Sequence, residues 1–238
     1  MGKQANQFLA SFNRIEKWLQ DEYKRKPFPG FAELVRRLSK RKDLQVRKYH
    51  DDLLEIAQLR NAIVHDRIAP DFVIAEPNDW IVKKIEKIEQ ELIAPELVSP
   101  RFKKEVVTFE KGTSLDVILK SLTEKEYSQF PIYDGKQFLG LITANGIGIW
   151  LAAHNQNEQI SIKGKTVESV LKSDAKRNNY LFVAQNAYVF QVMEKFLADP
   201  TIEAILITTD GQANSKLIGL VRPKEVFQDY YEEWSEMQ

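Results

Sequence analysis

The sequence predicts an α+β protein: an N-terminal all-α four-helix bundle, then a C-terminal α/β part built from two β-α-β-β-α repeats. Three observations predict it. Apolar residues recur at three- and four-residue spacing up to about residue 95. From Arg101 the pattern changes to short apolar runs separated by turn residues. The order strand, helix, strand, strand, helix then appears twice, and a duplication of this kind signals a repeat architecture. The predicted domains are residues 1–96, 97–165 and 166–238.

The first helix covers about residues 4–25, with Phe8, Phe12, Ile15, Trp18 and Leu19 on one face. Lys26-Pro27-Phe28-Pro29-Gly30 ends it, because two prolines and a glycine cannot continue a helix. A second helix carries Phe31, Leu34, Val35 and Leu38 and runs into Lys40-Arg41-Lys42. A third is predicted from about Val46 to Asp66. A loop with Pro70 and Pro77 follows, then a fourth helix from about Asp79 to Ile93, with Asn78 or Asp79 as its cap. Short loops between four helices suggest a small bundle.

In the first repeat, Val106 to Phe109 reads as a strand and Ser114 to about Lys125 as a helix. Phe130 to Tyr133 and Phe138 to Ile142 are strands around Asp134-Gly135, a strong hairpin signal. A helix from about Asn145 to His154 closes the unit. The second repeat reads Leu181 to Ala184, helix Val189 to Leu197, strands Ala204 to Thr208 and Leu217 to Val221 flanking Asp210-Gly211, and a helix from Lys224 to Tyr231. Asp134 maps to Asp210 and Gly140 to Gly219; the second hairpin loop is longer.

Of 238 residues, 43% are hydrophobic and 29% charged, a globular composition rather than a disordered one. Thirty-four basic residues balance 34 acidic ones, which argues against a chain that coats nucleic acid but leaves room for a local basic site. The absence of cysteine removes disulfides, thiolate nucleophiles and cysteine-ligated zinc together. No apolar run approaches the roughly 18–20 residues of a membrane span. The N-terminus leads into a mixed polar helix, and Asn6 does not fit a myristoylation signal after Gly2. The cytoplasm is the expected location.

One hexad stands out near the end of the third helix: Arg60-Asn61-Ala62-Ile63-Val64-His65. An arginine can hold a phosphate, an amide can orient groups and an imidazole can move a proton. Together they are the parts of a metal-independent phosphodiester cutter. At about 100° per residue, Arg60 lies at the edge of the apolar face set by Ile56, Leu59 and Ile63. Asn61 and His65, spaced i, i+4, lie on the other side. One regular helix therefore does not aim Arg60 and His65 at one phosphate. Either the helix ends near His65, or a two-fold dimer joins the residues of two copies. The plain alternative is that Arg60 pairs with Asp66 or a helix end, and that His65 is a last-turn cation.

Arg60-Asn61-x-x-x-His65 resembles the Arg-x4–6-His motif of the HEPN superfamily, with the resemblance covering about residues 1–96. It implies a dimeric four- to five-helix bundle and metal-independent ribonuclease activity. His65 would then be general base or acid, Arg60 would stabilise the phosphorane and Asn61 would orient. The Lys40-Arg41-Lys42 and Arg47-Lys48 cluster could steer RNA, although a basic run is usually a solvated helix end. His50 has no second ligand at a regular spacing, so no metal is expected there. His154 is expected to cap a helix. Trp18, Trp80, Trp150 and Trp234 are expected to be packing or interface residues.

Phe130-Pro131-Ile132-Tyr133-Asp134-Gly135, Gly140-Leu141-Ile142-Thr143 and Gly219-Leu220-Val221-Arg222 resemble tandem CBS domains, a Bateman module, over roughly residues 98–234. In that family the sheets of the two copies pack together and leave clefts that often bind AMP, ATP or S-adenosylmethionine. The last helix of each copy usually opens Gly-x-x-Thr/Ser-x-x-Asp, whose hydroxyl and helix N-terminus meet phosphate and whose Asp takes the ribose. Here the first copy keeps Thr143 but has Gly146 at the Asp position. The second has Arg222 and Glu225. The resemblance implies ligand contacts at Pro131, Thr143, Arg222 and Glu225, with Arg222 suited to bidentate phosphate binding. Alternatively, Arg222 and Glu225 are surface charges three apart.

The leading expectation is thus a ribonuclease whose helical dimer cuts RNA and whose CBS pair senses an adenine nucleotide. The alternatives are a non-catalytic nucleotide-binding or scaffold protein, and an RNA-binding domain without cleavage.

Overall fold

The computed structural model describes residues 2–64, 67–69, 72–73, 75–125, 127–155, 159–173 and 178–228. It divides into two compact units, Met1–Glu96 and Leu97–Gln238.

In the first unit, α1 (Lys3–Tyr23), α2 (Phe31–Leu38), α3 (His50–Val64) and α4 (Asp79–Ile93) enclose one apolar core. α1 contributes Phe8, Phe12, Ile15 and Leu19, α2 Phe31, Leu34, Val35 and Leu38, α3 Leu53, Ile56 and Ile63, and α4 Val82, Ile85, Ile88 and Leu92. Lys24 stops α1 in the left-handed region (φ 58°), and its N–H returns to the Gln20 carbonyl. Asn78, not Asp79, caps α4: its side-chain oxygen accepts from the Ile81 N–H at 3.0 Å. Arg14 clamps Glu89 across α1 and α4 through two nitrogens, at 2.5 and 2.8 Å.

Two details differ from the sequence expectation. α3 begins at His50 because a 3-10 turn, Gln45–Arg47, precedes it, and Lys48 and Tyr49 are tied to Glu91 of α4. Where a loop was expected after α3, β1 (Arg67–Ala69) and β2 (Phe72–Val73) pair antiparallel.

The second unit holds two three-stranded sheets of the same design. α5 (Val98–Arg101) opens it, followed by β3 (Phe109–Glu110), α6 (Leu115–Lys125), β4 (Gln129–Asp134), β5 (Gln137–Thr143) and α7 (Ala144–Ala153). Then come α8 (Val167–Ser173), β6 (Tyr180–Ala184), α9 (Val189–Ala198), β7 (Ala204–Thr208) and β8 (Leu217–Val221), with helical turns over residues 223–228. β3 runs parallel to β4 and β4 antiparallel to β5; β6, β7 and β8 repeat that pattern. Gly135 and Gly211, at φ +59° and +83°, make the two hairpin turns that Asp134-Gly135 and Asp210-Gly211 predict.

The lead-in segments are exchanged between the repeats. Val98 and Phe102 pack into the core of the second sheet with Val183, Val189, Val192 and Ile207. Val167 and Val170 pack into the core of the first with Leu115, Ile118, Ile132 and Ile142. Backbone bonds fix both crossings: Val98 N–H donates to Ala187 O, and Leu115 N–H to Lys165 O. The exchange accounts for β3 being shorter than the expected strand at Val106 to Phe109. Just upstream, Lys103 bridges to Gly219 and the Lys104 N–H donates to Ile218 O, so the chain leaves the edge of β8 before joining β4.

Gly219 is needed for this crossing, and Gly140 leaves room for the Leu171 side chain. A Cβ on Gly219 would lie 2.2 Å from the Phe102 carbonyl oxygen, and one on Gly140 would lie 2.7 Å from a Leu171 methyl. Between the sheets, Leu141 meets Ala204 and Leu220, and Phe138 meets Tyr180 and Phe182 edge-on at 5.0 Å.

Candidate functional site

In the helical unit, Arg60 and Asn61 sit at the end of α3. The guanidinium of Arg60 lies 5.7 Å above the Phe12 ring, which itself stacks on Phe31 at 4.5 Å, and Nη1 donates to Asn61 Oδ1 at 3.3 Å. Ile56 and Ile63 are buried while Asn61 is exposed, as the helical angles require. Arg60 and Asn61 line a cleft of about 460 Å³ with Phe12, Glu16, Phe31 and Arg36. His65 lies outside the described residues, as do Asp66 and Trp234.

The expected basic strip is partly neutralised. Arg41 binds Glu22 at 2.9 Å and also Asp43, and Lys48 binds Glu91 at 2.7 Å. His50 Nδ1 meets Asp51 at 2.7 Å. His154 stacks on buried Trp150 and occupies the C-cap of α7. Trp18 packs against the helical core, and Trp80 is 64% exposed beneath the Lys84 ammonium.

In the second unit, Pro131 and Thr143 are both buried, Thr143 being 1% exposed. Pro131 pairs with Leu141 and so shares the face that meets the second sheet. Thr143 is the N-cap of α7, and its hydroxyl accepts from the Gly146 N–H at 3.1 Å. Arg222 occupies the same place at the end of β8, with Pro223 opening the helical turns. Here the bond runs the other way: Glu225 reaches back and Oε2 accepts from the Arg222 N–H at 2.9 Å. The same oxygen accepts from Arg222 Nε at 3.1 Å, and Oε1 accepts from Lys104 Nζ at 2.6 Å. Burial pushes the Glu225 carboxyl up, but the bonds from Lys104 and Arg222 outweigh it and leave its pKa below the usual value.

Lys104 was not singled out from the sequence. It stands 121 residues before Glu225, and the exchanged segment alone brings the two together. It also lines an adjoining cleft of about 590 Å³ with Lys103, Glu105, Gln185, Thr209 and Lys216. Thus Arg222 and Glu225 do meet, while Thr143 is turned inward to its own helix. Among the described residues no group of three metal-binding side chains gathers, and no helix is long and apolar enough to cross a membrane.

Residues 98–147 match the family model of the CBS domain. The chain is similar to the CBS domain pair of protein MJ0100, solved with 5′-methylthioadenosine and S-adenosyl-L-methionine: 20% identity, 58% of this chain and 98% of that one, TM-score 0.45. It is also similar to CBSX2 in complex with AMP, at 18% identity over 58% and 97%, with a TM-score of 0.43. The CBS-domain containing protein ATU1752 from Agrobacterium tumefaciens is similar at 16% identity over 53% and 90%, with a TM-score of 0.41. No curated protein matches. The family match, together with the strand-for-strand duplication around it, supports a CBS domain pair in the second unit.

Proposed function

We propose that the chain is a regulatory protein whose residues 97–165 and 166–238 form a CBS pair that senses an adenosine-containing ligand such as AMP, ATP or S-adenosylmethionine. The observation that carries this reading is the exchanged duplication, two identical sheet orders in one unit, one of them matched by the CBS model. The candidate ligand positions are Pro131 and Thr143 in the first repeat and Arg222 and Glu225 in the second. The test is thermal denaturation of the full chain with AMP, ATP and S-adenosylmethionine. At least one raises Tm by mass action; no shift with any of them removes the sensor reading.

The output proposed for the helical unit, residues 1–96, is metal-independent cleavage of RNA by a HEPN-like homodimer in the cytoplasm. Arg60 stabilises the phosphorane, Asn61 orients and His65 moves the proton. The observation favouring it is that Arg60 and Asn61 are held together on the wall of an open cleft that Arg36 shares. Ligand control then requires that the nucleotide prefer one dimer geometry. Wild type is expected to degrade total RNA in EDTA and His65→Ala to leave it intact. Identical behaviour in every condition removes the enzyme. RNA retarded without products makes the unit a binding domain, and neither retardation nor products leaves a scaffold.

A further inference from the structure

The corner of the second repeat where Lys104, Arg222 and Glu225 meet has a charge arrangement not found among the described residues of the first repeat. Two cations converge on one carboxylate: Lys104 on Oε1 at 2.6 Å, Arg222 Nε on Oε2 at 3.1 Å. The carboxylate is the most covered of the three, its side chain 26% exposed against 40% for Lys104 and 38% for Arg222. Among the described residues, the Nε edge of Arg222 is the side-chain edge engaged. Among the described residues its two terminal nitrogens have no partner, so a second planar acceptor can still be taken up. The adjoining cleft adds Lys103 and Lys216 against Glu105 alone. Counted over the corner and the cleft that Lys104 also lines, four cations stand with two carboxylates.

We propose that this corner is a phosphate-selective site in which Lys104 and Arg222 take the phosphate of an adenosine phosphate. Glu225 is their resident counter-ion and not a ribose ligand. The inference rests on the reading of the unit as an adenosyl-ligand sensor and narrows it. A phosphate is a stronger partner for two converging cations than one carboxylate already shared between them. S-adenosylmethionine, with a sulfonium and an ammonium against one carboxylate, brings net positive charge to a positive corner and is disfavoured. Among the described residues, no such pair of cations gathers at Thr143 and Gly146 in the first repeat.

Replacement of Glu225 has an opposite sign under the two roles. Glu225→Gln keeps an oxygen able to accept from the Arg222 N–H, so the helix start is preserved. It removes the charge that competes with phosphate. A ribose carboxylate, once replaced, weakens every adenosyl ligand. A counter-ion, once replaced, strengthens the phosphorylated ones alone.

The experiment is isothermal titration of the full chain with ATP, AMP, adenosine and S-adenosylmethionine, with thermal melts of each variant to show that it is folded. Wild type is expected to bind ATP at least tenfold more tightly than S-adenosylmethionine. Arg222→Gln is expected to cost at least tenfold for ATP and Lys104→Gln at least fivefold, with adenosine changed less than twofold. Glu225→Gln is expected to tighten ATP at least threefold. Equal or tighter binding of S-adenosylmethionine, or a Glu225→Gln variant weakened for all four ligands, overturns the proposal and leaves the sensor reading standing. No heat with any of the four overturns the sensor reading itself.

Discussion

The two repeats of the second unit have the same strands in the same order, but they start their last helices by opposite halves of one hydrogen-bonding device. In the first, the N-cap side chain reaches forward, from Thr143 to the Gly146 N–H. In the second, the third helical residue reaches back, from Glu225 to the Arg222 N–H. Both satisfy one orphan donor of a helix start. The consequences for chemistry diverge. The first solution is neutral and buried. The second places a carboxylate and a guanidinium at the surface, where the exchanged segment adds the Lys104 ammonium. Equal folds therefore do not imply equal sites, and the difference lies in two positions, N-cap and N3.

The largest effect that tests the comparison concerns the exchange itself. At Gly219 an added Cβ meets backbone, the Phe102 carbonyl at 2.2 Å; at Gly140 it meets the end of a flexible side chain, Leu171. Gly219→Ala is expected to lower stability by about 2–3 kcal/mol in urea denaturation, and Gly140→Ala by less than about 1 kcal/mol. Equal costs break the asymmetry. Next is the cap: Thr143→Ala is expected to cost about 1 kcal/mol in the same assay, because the Gly146 N–H is buried with no substitute. Glu225→Gln, which preserves its acceptor, is expected to cost clearly less at neutral pH.

The smallest effect is in acid. Glu225 titrates below the usual glutamate value in the folded chain. The stability it contributes is complete at neutral pH. It is lost as pH falls through the usual value near 4.3 and then through the lower folded one. Glu225→Gln is therefore expected to show a shallower loss of stability than wild type between about pH 5 and 3. Thr143→Ala, which removes no titrating group, is expected to keep the wild-type slope. Parallel curves for wild type and Glu225→Gln would remove the folded-state coupling of Lys104 and Arg222 to the carboxylate.

What the sequence could reveal follows from the range of the interactions. Period and turn chemistry are local, so Asp134-Gly135 and Asp210-Gly211 located both hairpins, and Phe8, Phe12, Ile15 and Leu19 the buried face of α1. Arg222 and Glu225 were visible because they sit at fixed offsets after Gly219. The exchange of α5 and α8 was not visible. Each is short, and its apolar residues complete a core built from a distant segment. For the same reason Lys104 carried no signal: a lysine in a polar stretch joins the Arg222–Glu225 cluster only when that stretch pairs with β8. The inward turn of Thr143 was equally hidden, since a threonine before a helix is at once a cap and a candidate phosphate ligand, and burial decides between them.

The central proposal, that the charged corner of the second repeat and not the cap of the first takes the phosphate, is tested most directly by titrating ATP into full-length Thr143→Val and Arg222→Gln. The account predicts a Kd within twofold of wild type for Thr143→Val and at least tenfold weaker for Arg222→Gln. A Thr143→Val protein that loses ATP binding while Arg222→Gln retains it would contradict the account.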